Sequence, residues 1–160
     1  MELYKTYLNS PLGIIEVGGS EQSISSLYFI DKIPSGEYQT SDYLQQCITQ
    51  LEEYFRGERK EFSLKLEPSG TEFQKRVWAE LVKIPFGQTI SYIELACRLG
   101  DKRAVRAVGG ANGNNNISII IPCHRVIGSN GKLVGYGGGL WRKQWLLNLE
   151  QSLDELYFPI

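Results

Sequence analysis

One short segment of the sequence combines the residue types that nucleophilic chemistry needs. It runs from apolar into polar residues as Ile119-Ile120-Ile121-Pro122-Cys123-His124-Arg125-Val126. Proline lacks a backbone N–H and fixes the direction of the chain. Cationic neighbours lower the pKa of a thiol, and the resulting thiolate is the nucleophilic form. The segment therefore predicts that Cys123 is reactive rather than packed as a small apolar side chain.

The other two cysteines give no sign of a metal site or a disulfide. Cys47 and Cys97 are far apart in the sequence, no Cys-x-x-Cys pair occurs, and His124 is the only histidine. A structural zinc site has almost no ligands to draw on in such a sequence. We predict that Cys47 and Cys97 are buried as small apolar side chains, and we expect neither a metal nor a cofactor.

The sequence contains no recognisable export signal or membrane span. Its first residues, 1–5, lack the basic start and apolar stretch of a signal peptide. No apolar run approaches the roughly 20 residues that are needed to cross a bilayer. We therefore expect a cytoplasmic protein without a membrane partner.

Charge is distributed unevenly along the chain. Residues 1–70 contain 6 Lys or Arg and 11 Asp or Glu, a balance of −5, whereas residues 71–150 contain 11 and 5, a balance of +6. A basic half is typical of a surface that binds a polyanion. Chance clustering on a solvated face produces the same pattern, so charge alone leaves both interpretations open.

The pattern of the first 70 residues predicts a small α/β domain. Leu3–Leu8, Gly13–Val17 and Ile24–Ile30 are rich in β-forming residues. A helix is predicted next, because apolar residues recur at helical spacing at Leu44, Ile48, Leu51 and Phe55. Pro68-Ser69-Gly70 is the candidate boundary between a domain of residues 1–70 and a domain of residues 71–160.

The second half predicts a series of capped helices. Capping boxes occur at Thr71–Gln74 and Ser91–Glu94, and Asp101 is placed to cap a helix over Lys102–Gly110. The second of these helices has Leu95 and Leu99 facing inward. Two short helices joined at Gly100-Asp101 match a helix-turn-helix outline, which also occurs in many other helical proteins. We further predict a buried strand or extended segment at Ile117–Ile121 and a final amphipathic helix over Leu140–Glu150.

The sequence resembles the O6-alkylguanine-DNA alkyltransferase family, whose signature is the run Pro122-Cys123-His124-Arg125. The resemblance extends over roughly half the chain. It includes Thr71-Glu72-Phe73-Gln74, Ile84-Pro85-Phe86-Gly87, Ser91-Tyr92, Arg106-Ala107-Val108-Gly109-Gly110, Asn115, Gly135-Tyr136, Gly138-Gly139-Leu140 and Trp145-Leu146-Leu147-Asn148-Leu149-Glu150. It implies an α+β protein: a small N-terminal ribonuclease-H-like α/β domain and a C-terminal winged-helix-like, mainly helical domain with a helix-turn-helix.

The resemblance implies that the protein repairs DNA by moving an alkyl group from O6 of guanine onto its own cysteine. Cys123 matches the acceptor, His124 the base that acts on it through a bridging water, and Glu150 the carboxylate that orients the histidine. A thioether is chemically inert, so each molecule reacts once. From the residues alone Glu150 is an ordinary carboxylate near the end of a helix.

Further residues of the family match take roles around the base. Tyr92 resembles the hydroxyl donor to the departing guanine, and a half-buried core tyrosine is the alternative. Asn115 resembles the residue that ties the active-site loop to the turn between the two helices. Tyr136 resembles the wall of the base pocket, Gly137 and its neighbours leave N–H groups open towards O6, and the carbonyls of Cys123 and Val126 read the exocyclic amine.

The expected partner is double-stranded DNA that contains O6-alkylguanine, bound through the minor groove by a monomer with the damaged base flipped out. Arg106 resembles the residue that fills the gap left by the base; a phosphate-contacting arginine is the alternative. Small residues allow close approach to the backbone, and basic residues contact phosphates. These expected DNA-binding residues are Ala107, Gly109 and Gly110, with Lys102, Arg103 and Arg125.

The chain departs from the family pattern at two places. It lacks histidines and cysteines before Cys47, so the zinc that some members bind in the N-terminal domain is not expected. Asn116 and Ser118 stand where several members have prolines, in a loop expected to form one side of the alkyl pocket. We predict from this a mobile pocket wall and poor reaction with free O6-benzylguanine.

Three other readings of the sequence compete with the alkyltransferase. The alkyltransferase-like proteins bind alkylated DNA but lack the acceptor cysteine, and Cys123 argues against them. A helix-turn-helix regulator without chemistry would make the Cys123 segment and Glu150 coincidences. A cysteine hydrolase needs a histidine that is remote in sequence from the nucleophile, and His124 adjoins Cys123.

Overall fold

The structure is a computed structural model that describes residues 4–157. It divides into two compact units, Met1–Ser69 with Asn116–Ser118, and Gly70–Asn115 with Ile119–Ile160. Three residues from the later half of the sequence thus belong to the first unit. Within residues 4–157, no helix is both long enough and apolar enough to span a membrane.

The first unit is built on an antiparallel sheet of three strands in sequence order. The strands are β1 (Tyr4–Ser10), β2 (Gly13–Gly19) and β3 (Ile24–Ile30), and the predicted strands fall on them. The β1–β2 turn is tight: Gly13 has a φ of 103°, a conformation that favours glycine. Ile15, Val17 and Leu27 are fully buried in the sheet.

Helix α1 (Asp42–Phe55) supplies further apolar side chains to the core of this unit. Ser41 caps it by accepting a hydrogen bond from the Leu44 backbone N–H. Leu44, Ile48 and Leu51 are buried, as their spacing predicts, whereas Tyr54 rather than Phe55 completes the buried face.

The second unit contains four helices and a pair of very short parallel strands. The helices are α2 (Glu72–Leu81), α3 (Tyr92–Arg98), α4 (Val105–Gly113) and α5 (Leu140–Tyr157), and the strands are β4 (Ile90–Ser91) and β5 (Val126–Ile127). Short 3₁₀ turns occupy Lys102–Ala104 and Cys123–Arg125. The strand pair fixes the residues that follow the Cys123 turn beside the start of α3.

The predicted caps account for where α2 and α3 begin, whereas the helix predicted over Lys102–Gly110 is a 3₁₀ turn at Lys102–Ala104 followed by α4. Thr71 and Gln74 form both hydrogen bonds of a capping box on α2. Ser91 accepts from the Glu94 N–H at the start of α3, and Asp101 accepts from the Arg103 N–H in the turn that leads into α4. Gly100 has a φ of 95°, which allows the sharp exit from α3. Helices α3 and α4 form the helix-turn-helix.

Three details differ from the sequence predictions. The isoleucines of Ile117–Ile121 are buried, but the segment is not a strand: Ile117 forms one isolated bridge to Leu27, and Ile119 then adopts a φ of 72° that turns the chain. Helix α5 continues to Tyr157, so Glu150 lies inside a helix rather than at its end. Cys97 is exposed rather than buried, because it lies on the outer face of α3, whereas Cys47 is buried as predicted.

Candidate functional site

Cys123 begins the 3₁₀ turn that follows Pro122, and its side chain borders a small cavity in the second unit. The side chain is 5 % exposed, and the cavity has a volume of about 80 Å³, enough for several water molecules. Its lining consists of Tyr92, Gly109, Asn112, Gly113, Cys123, Gly135, Tyr136 and Gly137.

His124 and Glu150 form a fully buried pair behind the cavity. His124 Nε2 lies 2.7 Å from Glu150 Oε2. Burial lowers the pKa of His124 against the opposing effect of Glu150, so the imidazole is neutral at pH 7. Since Glu150 is ionised and accepts the bond, the proton of the imidazole is on Nε2. Nδ1 then carries the lone pair, and among the described residues it has no hydrogen-bond partner.

Arg125 holds Glu150 from the other side. Its Nε lies 2.8 Å from Glu150 Oε1 and its Nη2 lies 3.0 Å from Oε2, while Nη1 donates to the Ile84 carbonyl at 2.7 Å. Burial alone would raise the pKa of Glu150, but the charges and hydrogen bonds of His124 and Arg125 lower it below its ordinary value. Arg125 is 7 % exposed, so this geometry places it in support of Glu150 and not on the DNA-binding surface where we expected it.

The electrostatics of Cys123 differ from the prediction based on its sequence neighbours. Burial raises the pKa of the thiol above its ordinary value, while a hydrogen bond from Asn115 and the positive charge of Lys143 lower it in part. The cation that favours the thiolate is therefore Lys143 and not His124 or Arg125, because His124 is neutral and Arg125 is paired with Glu150. A thiol with a raised pKa needs a base to become nucleophilic.

Two asparagines fix the backbone around Cys123. Asn115 Nδ2 donates to the Ile121 carbonyl at 2.8 Å, so this bond joins it to the segment that precedes Cys123. Asn112 Nδ2 donates to the Cys123 carbonyl at 3.3 Å. Trp78 Nε1 donates to the Ala111 carbonyl at 2.9 Å and steadies the end of α4 between them. Sequence reasoning missed Asn112, whose only signal is its place on the inner face of α4.

Tyr92 lies at the start of α3 and lines the cavity with Cys123. Its hydroxyl donates to the Val134 carbonyl at 2.7 Å. Burial raises the pKa of Tyr92, as does the negative charge of a Cys123 thiolate, so the hydroxyl is a proton donor at neutral pH. Tyr136 is half-buried and Gly137 is exposed at the rim of the cavity, whereas Val126 is fully buried.

Lys143 is a second residue of the site that sequence reasoning missed. It lies on α5 with its side chain buried, and its Nζ donates to the carbonyls of Val134 and Gly135 at 3.1 Å each. Its burial lowers the pKa of the ammonium to about 8. A signal was present in the sequence: Lys143 precedes Glu150 by seven residues and shares the buried face of the helix with Leu146 and Leu147.

Apart from Arg125, the expected DNA-binding residues lie together on the helix-turn-helix. Lys102, Arg103, Arg106, Ala107 and Gly110 are exposed, and Gly109 is half-buried. A Cβ at Gly110 would meet nothing within 4 Å, although glycine inside a helix costs about 1 kcal/mol relative to alanine. The protein itself therefore gives no packing reason for this glycine. No group of three or more His, Cys, Asp or Glu among the described residues is placed to hold a metal ion.

Comparison with known proteins accounts for both units. Residues 72–152 match the family model described as 6-O-methylguanine DNA methyltransferase, DNA binding domain, and residues 3–68 match the model for the ribonuclease-like domain of the same family. A methylated-DNA–protein-cysteine methyltransferase of Methanosarcina barkeri is 46 % identical over 155 residues, which are 94 % of this chain and 98 % of the relative. One of Mycobacterium tuberculosis is 46 % identical over 153 residues, 93 % of this chain and 92 % of the relative.

Solved structures agree with the sequence comparisons. The crystal structure of the Mycobacterium tuberculosis O6-methylguanine methyltransferase has a TM-score of 0.83 at 45 % identity and covers 93 % of both chains. That of Mycobacterium tuberculosis OGT in complex with DNA has a TM-score of 0.84 at 43 % identity and covers 92 % of both. The predicted α+β fold class is confirmed, and the chain belongs to the 6-O-methylguanine DNA methyltransferase family.

Proposed function

We propose that this protein repairs DNA by transferring an alkyl group, such as methyl, from O6 of guanine to the sulfur of Cys123. The observation that carries the proposal is a cysteine at a small cavity, backed by a buried His124–Glu150 pair with a separation of 2.7 Å. The names of the relatives, which are methylated-DNA–protein-cysteine methyltransferases, point to the same reaction.

The first step is activation of the thiol. His124 Nδ1 takes the proton of Cys123, directly or through one water molecule, and the Glu150 carboxylate stabilises the imidazolium that forms. Arg125 keeps Glu150 ionised and in place. Because Asn115 and Lys143 favour the thiolate while burial opposes it, deprotonation is costly until the base and the substrate are both present.

The second step is displacement at the alkyl carbon. The Cys123 sulfur forms a bond to this carbon as the bond from carbon to O6 breaks, and the electron pair stays on the guanine. Negative charge therefore develops on the base, and the Tyr92 hydroxyl and the N–H groups of Gly135–Gly137 are the donors that the family resemblance implies for it. The guanine anion gains one proton from the Tyr92 hydroxyl, and the proton that His124 took from Cys123 returns to Tyr92 through solvent. The product is a thioether at Cys123 and an unmodified guanine, and no group of the described residues at the site regenerates the thiol.

Access to O6 requires the base to leave the duplex. Flipping is supported by the exposed position of Arg106 on α4, from which a guanidinium could fill the gap in the base stack. The open space around Gly110 supports a close approach of α4 to the sugar-phosphate backbone, as in minor-groove binding. Lys102 and Arg103 are suited to phosphate contacts, which position the protein without reading sequence.

The decisive experiment is mass spectrometry of the protein after mixing with a duplex that contains O6-methylguanine. We expect one added methyl group per molecule, on the peptide that contains Cys123, and no addition from the same duplex with unmodified guanine. Cys123→Ala should bind the duplex and gain nothing, whereas the exposed-cysteine variant Cys97→Ala should react like the wild type. Restored guanine without a modified Cys123, or many repaired lesions per molecule, would contradict the proposal.

A further inference from the structure

The ammonium group of Lys143 lies in a buried environment, which is unfavourable for a charge. Its side chain is fully buried on α5, where desolvation of a charge is costly. Its Nζ donates to two backbone carbonyls, those of Val134 and Gly135. Among the described residues no carboxylate pairs with it, so its positive charge is not neutralised by a neighbouring anion.

Of the two carbonyls that Lys143 binds, that of Gly135 belongs to the wall of the cavity and that of Val134 directly precedes it. Gly135, Tyr136 and Gly137 line the cavity beside Cys123. The Val134 carbonyl accepts a second hydrogen bond, from the Tyr92 hydroxyl at 2.7 Å. Lys143 Nζ also lies 5.8 Å from the centre of the Tyr92 ring. One lysine thus joins α5, the wall and the tyrosine that faces Cys123.

We propose that Lys143 is a positioning residue for alkyl transfer, which holds the cavity wall through Val134 and Gly135 and provides, at neutral pH, a positive charge that stabilises the Cys123 thiolate. The wall and Tyr92 parts of this role rest on the proposed function. When the Tyr92 hydroxyl turns towards the base, its bond to the Val134 carbonyl is lost, and Lys143 leaves that carbonyl hydrogen bonded. Tyr92 is therefore free to donate at little cost.

The charges around Cys123 give Lys143 this electrostatic role. His124 is neutral because burial lowers its pKa, Arg125 and Glu150 neutralise each other, and the raised pKa of Tyr92 keeps its hydroxyl protonated. Lys143, with a pKa of about 8, is mainly charged at neutral pH. It is thus the source of uncompensated positive charge that acts on Cys123, and the reciprocal effect raises the pKa of Lys143 when the thiolate forms.

The test compares Lys143→Met, which fills the same space without charge, with Lys143→Arg, which keeps the charge and the donors. The full-length proteins, free of DNA, are treated with iodoacetamide at about pH 7, where Lys143 is mainly charged, and alkylation of the Cys123 peptide is followed by mass spectrometry. The exposed Cys97 peptide is the internal control. We expect the rate at Cys123, relative to that at Cys97, to fall by about tenfold or more in Lys143→Met, and to return towards the wild-type value in Lys143→Arg.

A second measurement follows methyl transfer from the methylated duplex. The rate for Lys143→Met should fall by about tenfold or more, since one unit of pKa is a tenfold change in thiolate at a given pH. An unchanged iodoacetamide rate at Cys123 in a folded Lys143→Met protein would overturn the proposal, even if the variant is less stable, as would a lowered rate that Lys143→Arg does not restore. If Lys143→Met does not fold, Lys143→Gln, which keeps a donor without the charge, is measured instead with the same expectations.

The two measurements separate this proposal from the proposed function. The iodoacetamide reaction needs no DNA, so its rate at Cys123 reports on Lys143 even if the wild-type protein fails to react with methylated duplex. That failure would contradict the proposed function and leave the charge effect to be judged by the iodoacetamide rate alone. A lowered iodoacetamide rate together with an unchanged transfer rate would overturn the role in alkyl transfer.

Discussion

The buried cluster around Cys123 and the exposed face of α4 differ in how their charged side chains are stabilised. In the cluster, His124, Arg125 and Glu150 have almost no contact with solvent, and bonds of 2.7–3.0 Å join them. On α4 and the turn before it, Lys102, Arg103 and Arg106 are exposed. The hydrogen bonds of the cluster are already formed in the free protein, whereas the charges on the exposed face of α4 and the turn before it are open to solvent.

This difference indicates how stability and function are divided within the second unit. Removing one member of the cluster leaves another charge buried without its partner, so chemistry and folding are affected together. Removing a residue from the exposed face changes little in the free protein, so any effect belongs to binding. The following predictions test that division, starting from the largest expected effect.

Glu150→Ala should cause the largest loss of both stability and methyl transfer. It leaves the Arg125 guanidinium buried and unpaired and removes the carboxylate that orients His124, so we expect a loss of about 3–5 kcal/mol in the free energy of unfolding and loss of methyl transfer. Urea denaturation and the mass-spectrometric assay measure the two effects. The control is Glu94→Ala, which breaks an exposed pair with Arg98 at 3.4 Å and should cost less than about 1 kcal/mol. Equal costs for the two variants would remove the distinction between cluster and surface.

Arg106→Ala should weaken repair of duplex DNA and leave the free protein intact. Loss of a stacked side chain worth about 1–3 kcal/mol should slow methyl transfer from duplex by roughly tenfold or more, while the unfolding free energy stays within about 0.5 kcal/mol of the wild type. The iodoacetamide reaction of Cys123 should not change. Arg103→Ala is the comparison: as a phosphate contact, it should weaken binding to all duplexes alike and reduce the salt dependence by about one unit of slope. Identical behaviour of the two variants would argue against a gap-filling role for Arg106.

The stability of the protein should fall as the pH is lowered through the range in which an unfolded histidine titrates. The pKa of His124 is lowered in the folded protein by burial, so the unfolded state binds more protons below about pH 6.5. The slope is at most about 1.4 kcal/mol per pH unit. Glu150 adds a similar loss at lower pH, because its folded pKa is also lowered. Since His124 is the only histidine, His124→Gln should remove the first of these losses in urea denaturation, and a wild-type stability that is constant from pH 7 to about pH 5 would contradict the neutral assignment.

Gly110→Ala should show the smallest effect, and it should raise the free energy of unfolding while it weakens duplex binding. Because a Cβ has open space there, alanine should raise the unfolding free energy by up to about 1 kcal/mol, while an added methyl group at the surface of α4 should weaken duplex binding. Thermal unfolding and titration with unmodified duplex are sufficient to measure both. A stabilised variant with unchanged duplex binding would remove the argument that DNA approaches α4 closely at this position.

The sequence predicted correctly those features that are determined by residues close together in the sequence. The capping box at Thr71 forms as predicted, and Ser91 and Asp101 also accept from a backbone N–H within three residues, although Asp101 caps the 3₁₀ turn before α4. The buried face of α1 and the three strands of the first unit follow from periodicity for the same reason. The residues of the family signature also lie together, with Cys123 at the cavity and His124 against Glu150.

Features that depend on contacts distant in sequence were not predictable in this way. The electrostatic role of Lys143 depends on two carbonyls of another segment, and the burial of Arg125 depends on Glu150, 25 residues later in the chain. Local charge therefore predicted the wrong cations beside Cys123. The exposure of Cys97 and the left-handed conformation of Ile119 likewise follow from how elements pack and not from residue type.

The conformation of Ile119 makes the position of the Cys123 sulfur depend on packing in the apolar core. A β-branched residue at a φ of 72° carries a torsional cost of about 1–3 kcal/mol, which a glycine would avoid. Ile119 is only 1 % exposed, and loss of such a side chain costs about 2–5 kcal/mol, so burial outweighs the torsional cost. The apolar packing of Ile119 thus stabilises the bend that lies four residues before Cys123. Substitutions that loosen this packing should displace the Cys123 sulfur without removing any polar group near it.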